Sequence, residues 1–261
     1  MLTLSKIGYE NEYISYLKQQ TKKKRGLSLL VGPTGNGKNT TIYAILDYLN
    51  NGQRNIVTIE EPAEILINGI NQYKIDQHNT IENAMKTVVR QDPDVIYVGE
   101  IRDLNTAELA ISSANTGHLV FSTLHSKDSA TAILRLVGLG SNVEDIADVL
   151  NYVIYQKLVR VLCSECKEKL EDENSISLAR EKGFDTEKLY TAGEGCIACK
   201  EGHIGLKPVY EILNIDEDNY ENILNRDIKA LRNNLMLTLE ESIKLTLESI
   251  EFEDIEFVLI T

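Results

Sequence analysis

The sequence predicts an α/β fold, a parallel sheet with crossover helices followed by a smaller appendage. Three observations carry that prediction. Short apolar runs alternate with helical patterns over the first half of the chain. A glycine-rich turn, Gly32 to Lys38, joins the first run to the helical pattern after it, and two Cys-x-x-Cys pairs bracket a polar segment beyond residue 160. At 261 residues the chain exceeds a typical domain of roughly 150, which fits one large domain with an appendage or two modest domains.

Residues 1–25 are polar, with an amphipathic helix that sets Ile14 and Leu17 against Tyr13 and Tyr16 and ends at Lys22-Lys23-Lys24-Arg25. That basic run reads as a solvated face rather than a phosphate-binding patch. Four apolar runs follow, at 27–31, 56–59, 95–98 and 119–122, with helical patterns at 39–50, 81–90 and 105–114. Strands covered on both faces by crossover helices are expected as unbroken apolar runs, the pattern seen here. Open sheets of this kind bind ligands beyond the carboxyl ends of their strands. All four predicted ends carry chemistry: the glycine-rich turn, Glu60-Glu61-Pro62-Ala63-Glu64, Gly99-Glu100, and Thr123 to His125. Beyond Ser126 the pattern turns helical at 130–137 and 143–159. Near the C-terminus Leu235, Leu239, Ile243, Leu247 and Ile250 recur every three or four residues, predicting a small packed helix.

Lys and Arg number 27 against 40 Asp and Glu, a net charge of −13. Such an acidic surface argues against bare DNA or RNA as a partner. No apolar run approaches the roughly 18 to 20 residues of a membrane span, and the N-terminus lacks the charged start and apolar stretch of a secretory signal. These features predict a cytoplasmic chain without direct membrane insertion, held at a membrane only through a partner. Four Cys in that compartment point to metal ligands or reduced thiols rather than disulfides. With 43% hydrophobic and 26% charged residues, the chain is not of the disordered class.

Gly32-Pro33-Thr34-Gly35-Asn36-Gly37-Lys38 follows a predicted strand and opens a predicted helix, the context of a Walker A loop. Its glycines let backbone N–H groups surround the phosphates of ATP or ADP, the helix N-terminus faces negative charge, and Lys38 reaches the β- and γ-phosphates. The predicted nucleotide site runs from Gly32 through Asn39 and Thr40. Asn39 stands where Ser or Thr would offer Mg²⁺ a hydroxyl. Thr40 does not simply substitute, because one helical step rotates a side chain by about 100°. The Asn carbonyl oxygen is a hard-metal ligand, but one of different reach.

Asp92-Pro93-Asp94 leads into Val95-Ile96-Tyr97-Val98-Gly99-Glu100, which reads as a Walker B strand with Gly99 where many NTPases carry the Mg²⁺-linked Asp. Glu100 would act through a metal-bound water; the alternative is a strand that ends in an exposed Glu. Glu60, Glu61 and Glu64 offer carboxylates suited to orienting and deprotonating an attacking water, or else form a solvated acidic loop. His118 and His125 flank the fourth strand, and two histidines bracketing a strand that ends at the site favour a functional reading over a structural one. Cys163-x₂-Cys166 and Cys196-x₂-Cys199 supply four thiolates for a closed tetrahedral site, which Zn²⁺ prefers; packing thiols and redox work are the alternatives. Residues 167–195 between the pairs exceed the roughly 15 to 20 of a simple knuckle template, so an insertion must loop out.

The segments GPTGNGKNTTIYA, TIEEPAE, RQDPDVIYVGEIRDLNTAELAISSANTGHLVFSTLHS, LCSEC and GCIACKEGHIGLKPVYEIL resemble the motor ATPases of type II secretion and type IV pilus assembly, including competence pili. The resemblance covers the chain from about Leu4 to Thr261. It implies a RecA-like P-loop NTPase core (26–160), a four-cysteine zinc-knuckle insert (161–212) and a C-terminal helical subdomain (213–261). Residues 1–25 become a linker from an N-terminal domain that precedes this region in the family. Lys38 becomes the phosphate lysine, Glu64 the general base of the Asp box, Glu100 the Walker B glutamate and His125 the γ-phosphate sensor. Arg102 fits the same pattern as a polar partner near the site. Asn39 departs from the family's Thr or Ser, and Glu61 from the usual Asp.

The resemblance further implies a homo-oligomeric ring, a hexamer, that hydrolyses ATP with Mg²⁺ and acts on an inner-membrane platform protein to assemble pilin-like subunits. The four-cysteine element is common in the assembly and secretion branches and lacking in the retraction branch, which favours extension. Arginines that reach the nucleotide belong to the family's N-terminal domain, so slow hydrolysis and weak assembly are expected of these residues alone. The rival readings are a nucleotide-binding ring subunit with little hydrolysis and a retraction motor.

Overall fold

The computed structural model describes residues 3–260. They fall into two compact units, one running to Tyr155 and adding Ile212–Met236, the other made of Gln156–Glu211 and the chain from Leu237 onward.

The first unit opens with a 3₁₀ turn (Leu4–Lys6) and helix α1 (Asn11–Gln20). It continues through β1 (Gly26–Val31), α2 (Lys38–Leu49), β2 (Ile56–Glu60), β3 (Asn71–Lys74), α3 (Ile81–Val88), β4 (Val95–Glu100), α4 (Leu104–Asn115), β5 (Leu119–Leu124), α5 (Ser129–Leu139) and α6 (Val143–Val149). Strand β6 (Leu150–Leu162) carries the chain into the second unit, which holds β7 (Glu168–Lys169), α7 (Glu173–Glu181) and β8 (Tyr190–Thr191). Strand β9 (His203–Asn214) leads back to α8 (Glu217–Leu224) and α9 (Ile228–Asn233), and α10 (Leu239–Lys244) and α11 (Phe252–Ile260) complete the second unit.

The main sheet has the order β3-β2-β4-β5-β1-β6-β9. Pairs β1/β5, β1/β6, β2/β3, β2/β4 and β4/β5 are all parallel, so the carboxyl ends of β1, β2, β4 and β5 share one edge. Strands β1, β2 and β5 are buried along their whole length, as unbroken apolar runs require. Each buried Leu, Ile or Val contributes roughly 1.5–3 kcal/mol relative to exposure. Strand β3, Asn-Gln-Tyr-Lys, has no such run to betray it; it is short, polar and at the sheet edge.

Three expectations need correction. The pattern at 143–159 is not one helix: α6 stops at Val149 and Leu150 begins β6. An apolar run buried on both sides looks alike in helix and strand, and here parallel pairing of Leu150 and Tyr152–Tyr155 with β1 makes it strand. The C-terminal periodicity does not form one helix either. Thr238 caps α10 with Glu241 in a reciprocal capping box, which starts the helix after Leu235. A 3₁₀ turn then holds Leu247, and Ile250 is extended. Ile243, Leu247 and Ile250 are nonetheless buried together with Val159, Phe252 and Ile255.

The insertion between the cysteine pairs is the third. Rather than looping out as a polar segment, it places Ala179, Phe184 and Leu189 in that same core.

The unit boundaries also differ from the sequence division at 25, 160 and 212. Leu4, Ile7, Tyr9, Tyr13, Ile14 and Leu17 are buried, so residues 4–20 pack within the first unit. Tyr13 joins the apolar face of α1 rather than opposing it. The stretch 213–236 likewise belongs to the first unit, and the chain from Leu237 to the second.

Candidate functional site

The loop after β1 turns through Gly35 (φ 80°) and Gly37 (φ 73°), left-handed conformations in which a side chain is strained. Helix α2 starts directly after it at Lys38. The Lys38 ammonium is buried and donates to the carbonyls of Gly32 and Pro33, each at 2.8 Å. Burial lowers its pKa, with Glu100 and Glu64 pulling the other way. The Asn36 amide donates to the Thr34 carbonyl at 3.3 Å, and Thr34 Oγ1 stands 3.5 Å from His125 Nε2.

Glu100, at the end of β4, is held at both carboxylate oxygens. Arg102 donates to Oε2 at 2.8 Å and His125 Nε2 meets Oε1 at 2.9 Å. His125 Nδ1 faces the Gly32 carbonyl at 2.9 Å, so both ring nitrogens meet acceptors. Burial opposes ionisation of Glu100, but the Arg102 hydrogen bond, His125 and Lys38 outweigh it and hold the carboxyl below its ordinary range. Arg102 also reaches Glu61 at 3.9 Å. Gly99 marks a register shift between β4 and β5, and a Cβ there would lie 3.3 Å from the Ile59 carbonyl oxygen. The close approach of β2 leaves little room for a side chain at that position.

Asn39 uses both ends of its amide. Nδ2 donates to Glu64 Oε1 at 2.6 Å, and Oδ1 accepts from the Tyr97 hydroxyl at 3.3 Å. Glu64 itself is exposed. Glu60, expected among the solvent-facing carboxylates, is instead 4% exposed. It accepts from Thr58 Oγ1 at 2.6 Å, from Gln72 Nε2 at 3.3 Å and from the Tyr43 hydroxyl. A buried carboxylate is tolerated only with such donors.

The structure therefore brings Lys38, Glu100 and His125 together at the loop, with Asn39 and Glu64 paired beside them. A cleft of about 660 Å³, lined by Gly32, Pro33, His125, Ser126, Arg135 and Leu139 among others, opens next to them. Its size lies within the usual small-molecule range. His118 does not join: it sits at the amino end of β5, with Nδ1 against the Ser113 carbonyl at 2.9 Å and Thr116 Oγ1 at 3.2 Å. The basic run 22–25 is largely exposed, although Lys23 turns in to donate to Asn151 Oδ1 at 2.9 Å. Sequence reasoning missed Tyr43, Tyr97, Thr58 and Gln72. The available signal was tyrosine inside apolar runs, since a buried phenol needs a partner.

In the second unit the four cysteine sulfurs lie within 4.8 Å of one another. Cys163 and Cys196 are 3.7 Å apart, Cys166 and Cys199 3.6 Å, and Cys196 and Cys199 3.7 Å. A Zn–S bond of about 2.3 Å sets tetrahedral thiolates about 3.8 Å apart, so this group has the shape and chemistry to hold such an ion. Backbone N–H groups around Cys196 pull the Cys199 thiol down to about 7, while burial and the neighbouring thiols push Cys166 up to about 12. Gly193 is required by packing, because a Cβ there would fall 2.0 Å from the Cys166 carbonyl oxygen.

Residues 1–252 match the family model described as Type II/IV secretion system protein. The chain belongs to that family. Among relatives of this secretion-system family, the type IV pilus assembly ATPase PilB of Acinetobacter baylyi is 40% identical over 239 residues, covering 88% of this chain and 41% of the relative. The type II secretion system ATPase E of Vibrio cholerae is 39% identical over 224 residues, 83% of this chain and 44% of the relative. The chain thus spans about two fifths of the length of these relatives. A crystal structure of the pilus retraction motor PilT with bound ADP matches with a TM-score of 0.73 at 26% identity, covering 99% of this chain and 67% of that one. The Legionella pneumophila ATPase DotB, at 22% identity and TM-score 0.73, shares the fold. Among the described residues no helix is long and apolar enough to cross a membrane.

Proposed function

We propose that this chain is an ATP-hydrolysing motor core that powers assembly of pilin-like subunits in a pilus, secretion or competence machine. The observation that carries this is the convergence of Lys38, Glu100, His125 and Glu64 at the carboxyl ends of the parallel strands, around a glycine-rich loop. Lys38 and the loop N–H groups bind the phosphates. His125, braced between Gly32 and Glu100, contacts the terminal phosphate, and Glu64 accepts the proton of the attacking water. The Glu100 carboxylate suits Mg²⁺, whereas Asn39 is committed to Glu64 and Tyr97. When bound, Mg²⁺ neutralises phosphate charge. Cys163, Cys166, Cys196 and Cys199 fit Zn²⁺, whose role there is to support the fold of the second unit.

In this reading the chain acts in the cytoplasm as part of a hexameric ring, and it reaches the inner membrane through a platform protein. Relatives named as assembly and secretion ATPases, at about 40% identity, favour extension over retraction. The Asn39–Glu64 bond favours a second reading, a nucleotide-binding subunit with little hydrolysis, because it occupies the base. Phosphate release with Mg·ATP separates the two: the motor reading expects turnover that Glu100→Gln abolishes. Nucleotide binding with no turnover above that variant supports the second reading and overturns the first.

A further inference from the structure

Tyr43 lies on α2 barely more than one turn beyond Lys38, and it is fully buried. Its hydroxyl does two things at once. It donates to Glu60 Oε2, and it accepts the backbone N–H of Glu64 at 3.1 Å. Its ring stands edge-on to Tyr97, centroids 6.2 Å apart, and Tyr97 reaches Asn39. Burial and the Glu60 hydrogen bond both keep the phenol protonated by raising its pKa. The Glu64 side chain is exposed and accepts from Asn39 Nδ2 at 2.6 Å. The Glu64 N–H is held by the Tyr43 hydroxyl, and that hydroxyl by a buried carboxylate held from its other oxygen by Thr58 and Gln72, while Gln72 also ties down the loop beyond at the Ile65 carbonyl (2.9 Å) and the Ile67 N–H (2.7 Å).

We propose that Tyr43 is a positioning residue for the hydrolysis reaction: anchored on Glu60, it ties the phosphate-loop helix to the loop bearing Glu64 and so aims the Glu64 carboxylate. This rests on the reading of Glu64 as the base. A strut of this kind matters because a misplacement of about 1 Å at a reacting group costs up to about 10²-fold in rate. It acts through the backbone of Glu64 and touches neither nucleotide nor water.

The test uses the 261-residue chain and two readouts, amide hydrogen exchange at Glu64 by NMR and ATP turnover. Tyr43→Phe removes only the hydroxyl and keeps the ring against Tyr97. Expected are exchange at the Glu64 amide faster by about tenfold or more, and kcat lower by roughly 10- to 100-fold with little change in KM. In a Glu64→Gln background the same change is expected to cost nothing further. Thr58→Val strips a donor from the far oxygen of the same Glu60, so it is expected to lower the melting temperature and to change kcat and the Glu64 amide less than Tyr43→Phe does. Where Tyr43→Phe fails to fold, Glu60→Gln weakens the same anchor and is expected to give a smaller shift of the same kind. Unchanged exchange or unchanged kcat in a folded Tyr43→Phe overturns the proposal, as does an equal kcat loss in Thr58→Val. If Glu64→Gln retains full turnover, it is the base assignment that fails, and the strut then stands or falls on the amide exchange alone.

Discussion

Lys38, Glu64, Glu100 and His125 lie at or beyond the carboxyl ends of four separate strands of the first unit, and the sheet brings their side chains together at one edge. The cysteines of the second unit come as two tight pairs, each closed by a local turn in which the N–H of Cys166 or Cys199 meets the carbonyl three residues earlier. The first arrangement depends on strand register and on buried partners such as Glu60. The second depends on a short turn repeated twice. Side-chain changes in the first should therefore alter rate with the fold intact, whereas changes in the second should alter the fold and leave nucleotide binding alone.

The largest expected effect breaks the first region. Lys38→Ala removes the cation proposed to bind the phosphates, and turnover should fall by about 10²- to 10³-fold with the melting temperature preserved. A matching loss of melting temperature would mean that its bonds to Gly32 and Pro33 hold the loop together, and the contrast would weaken.

The second region is broken by metal. Protein purified without added zinc is expected to carry one Zn²⁺ per chain by elemental analysis. Cys163→Ser or chelation should cost the second unit several kcal/mol, of the order seen when a metal organises a small core. Fluorescent-nucleotide binding to the first unit should survive. Loss of both together would show that the units are not separable, and four freely titratable thiols in metal-poor protein would remove the zinc assignment.

Asn39→Thr sharpens the comparison from the other direction. It frees Glu64 from the 2.6 Å amide bond and restores a hydroxyl for Mg²⁺. Mg²⁺-dependent turnover should rise severalfold, with a smaller change in ATP affinity, because backbone N–H groups and Lys38 bind the phosphates in either case. Equal turnover in the two proteins would return Asn39 to a neutral role.

The smallest effect is a shift in pH dependence. In the proposed reaction Glu100 acts as the carboxylate, and Arg102 helps hold its pKa below the ordinary range. Its acidic limb in kcat should therefore lie at low pH, and Arg102→Ala should move that limb upward, with His125 and Lys38 limiting the change. A limb that stays put would assign Arg102 to Glu61 or to solvent.

The sequence by itself determined what rests on contiguous residues. The glycine-rich loop and its lysine, the two cysteine pairs, the central apolar strands and the polar groups at four strand ends were all legible. Glycine conformation, ligand spacing and unbroken apolar runs act over a few residues, where sequence neighbours are spatial neighbours. Tertiary structure alone decided that 150–162 is a strand, because a run buried on both sides carries no period of its own. It decided that Glu60 is an internal anchor while Glu64, four residues on, meets solvent. It also separated His118 from His125, placing them at opposite ends of β5, and drew the insert between the cysteines into a core. In each case the deciding energy is desolvation. Which carboxylate or apolar side chain loses its water depends on what distant segments pack against it, and that is written in no single stretch of the chain.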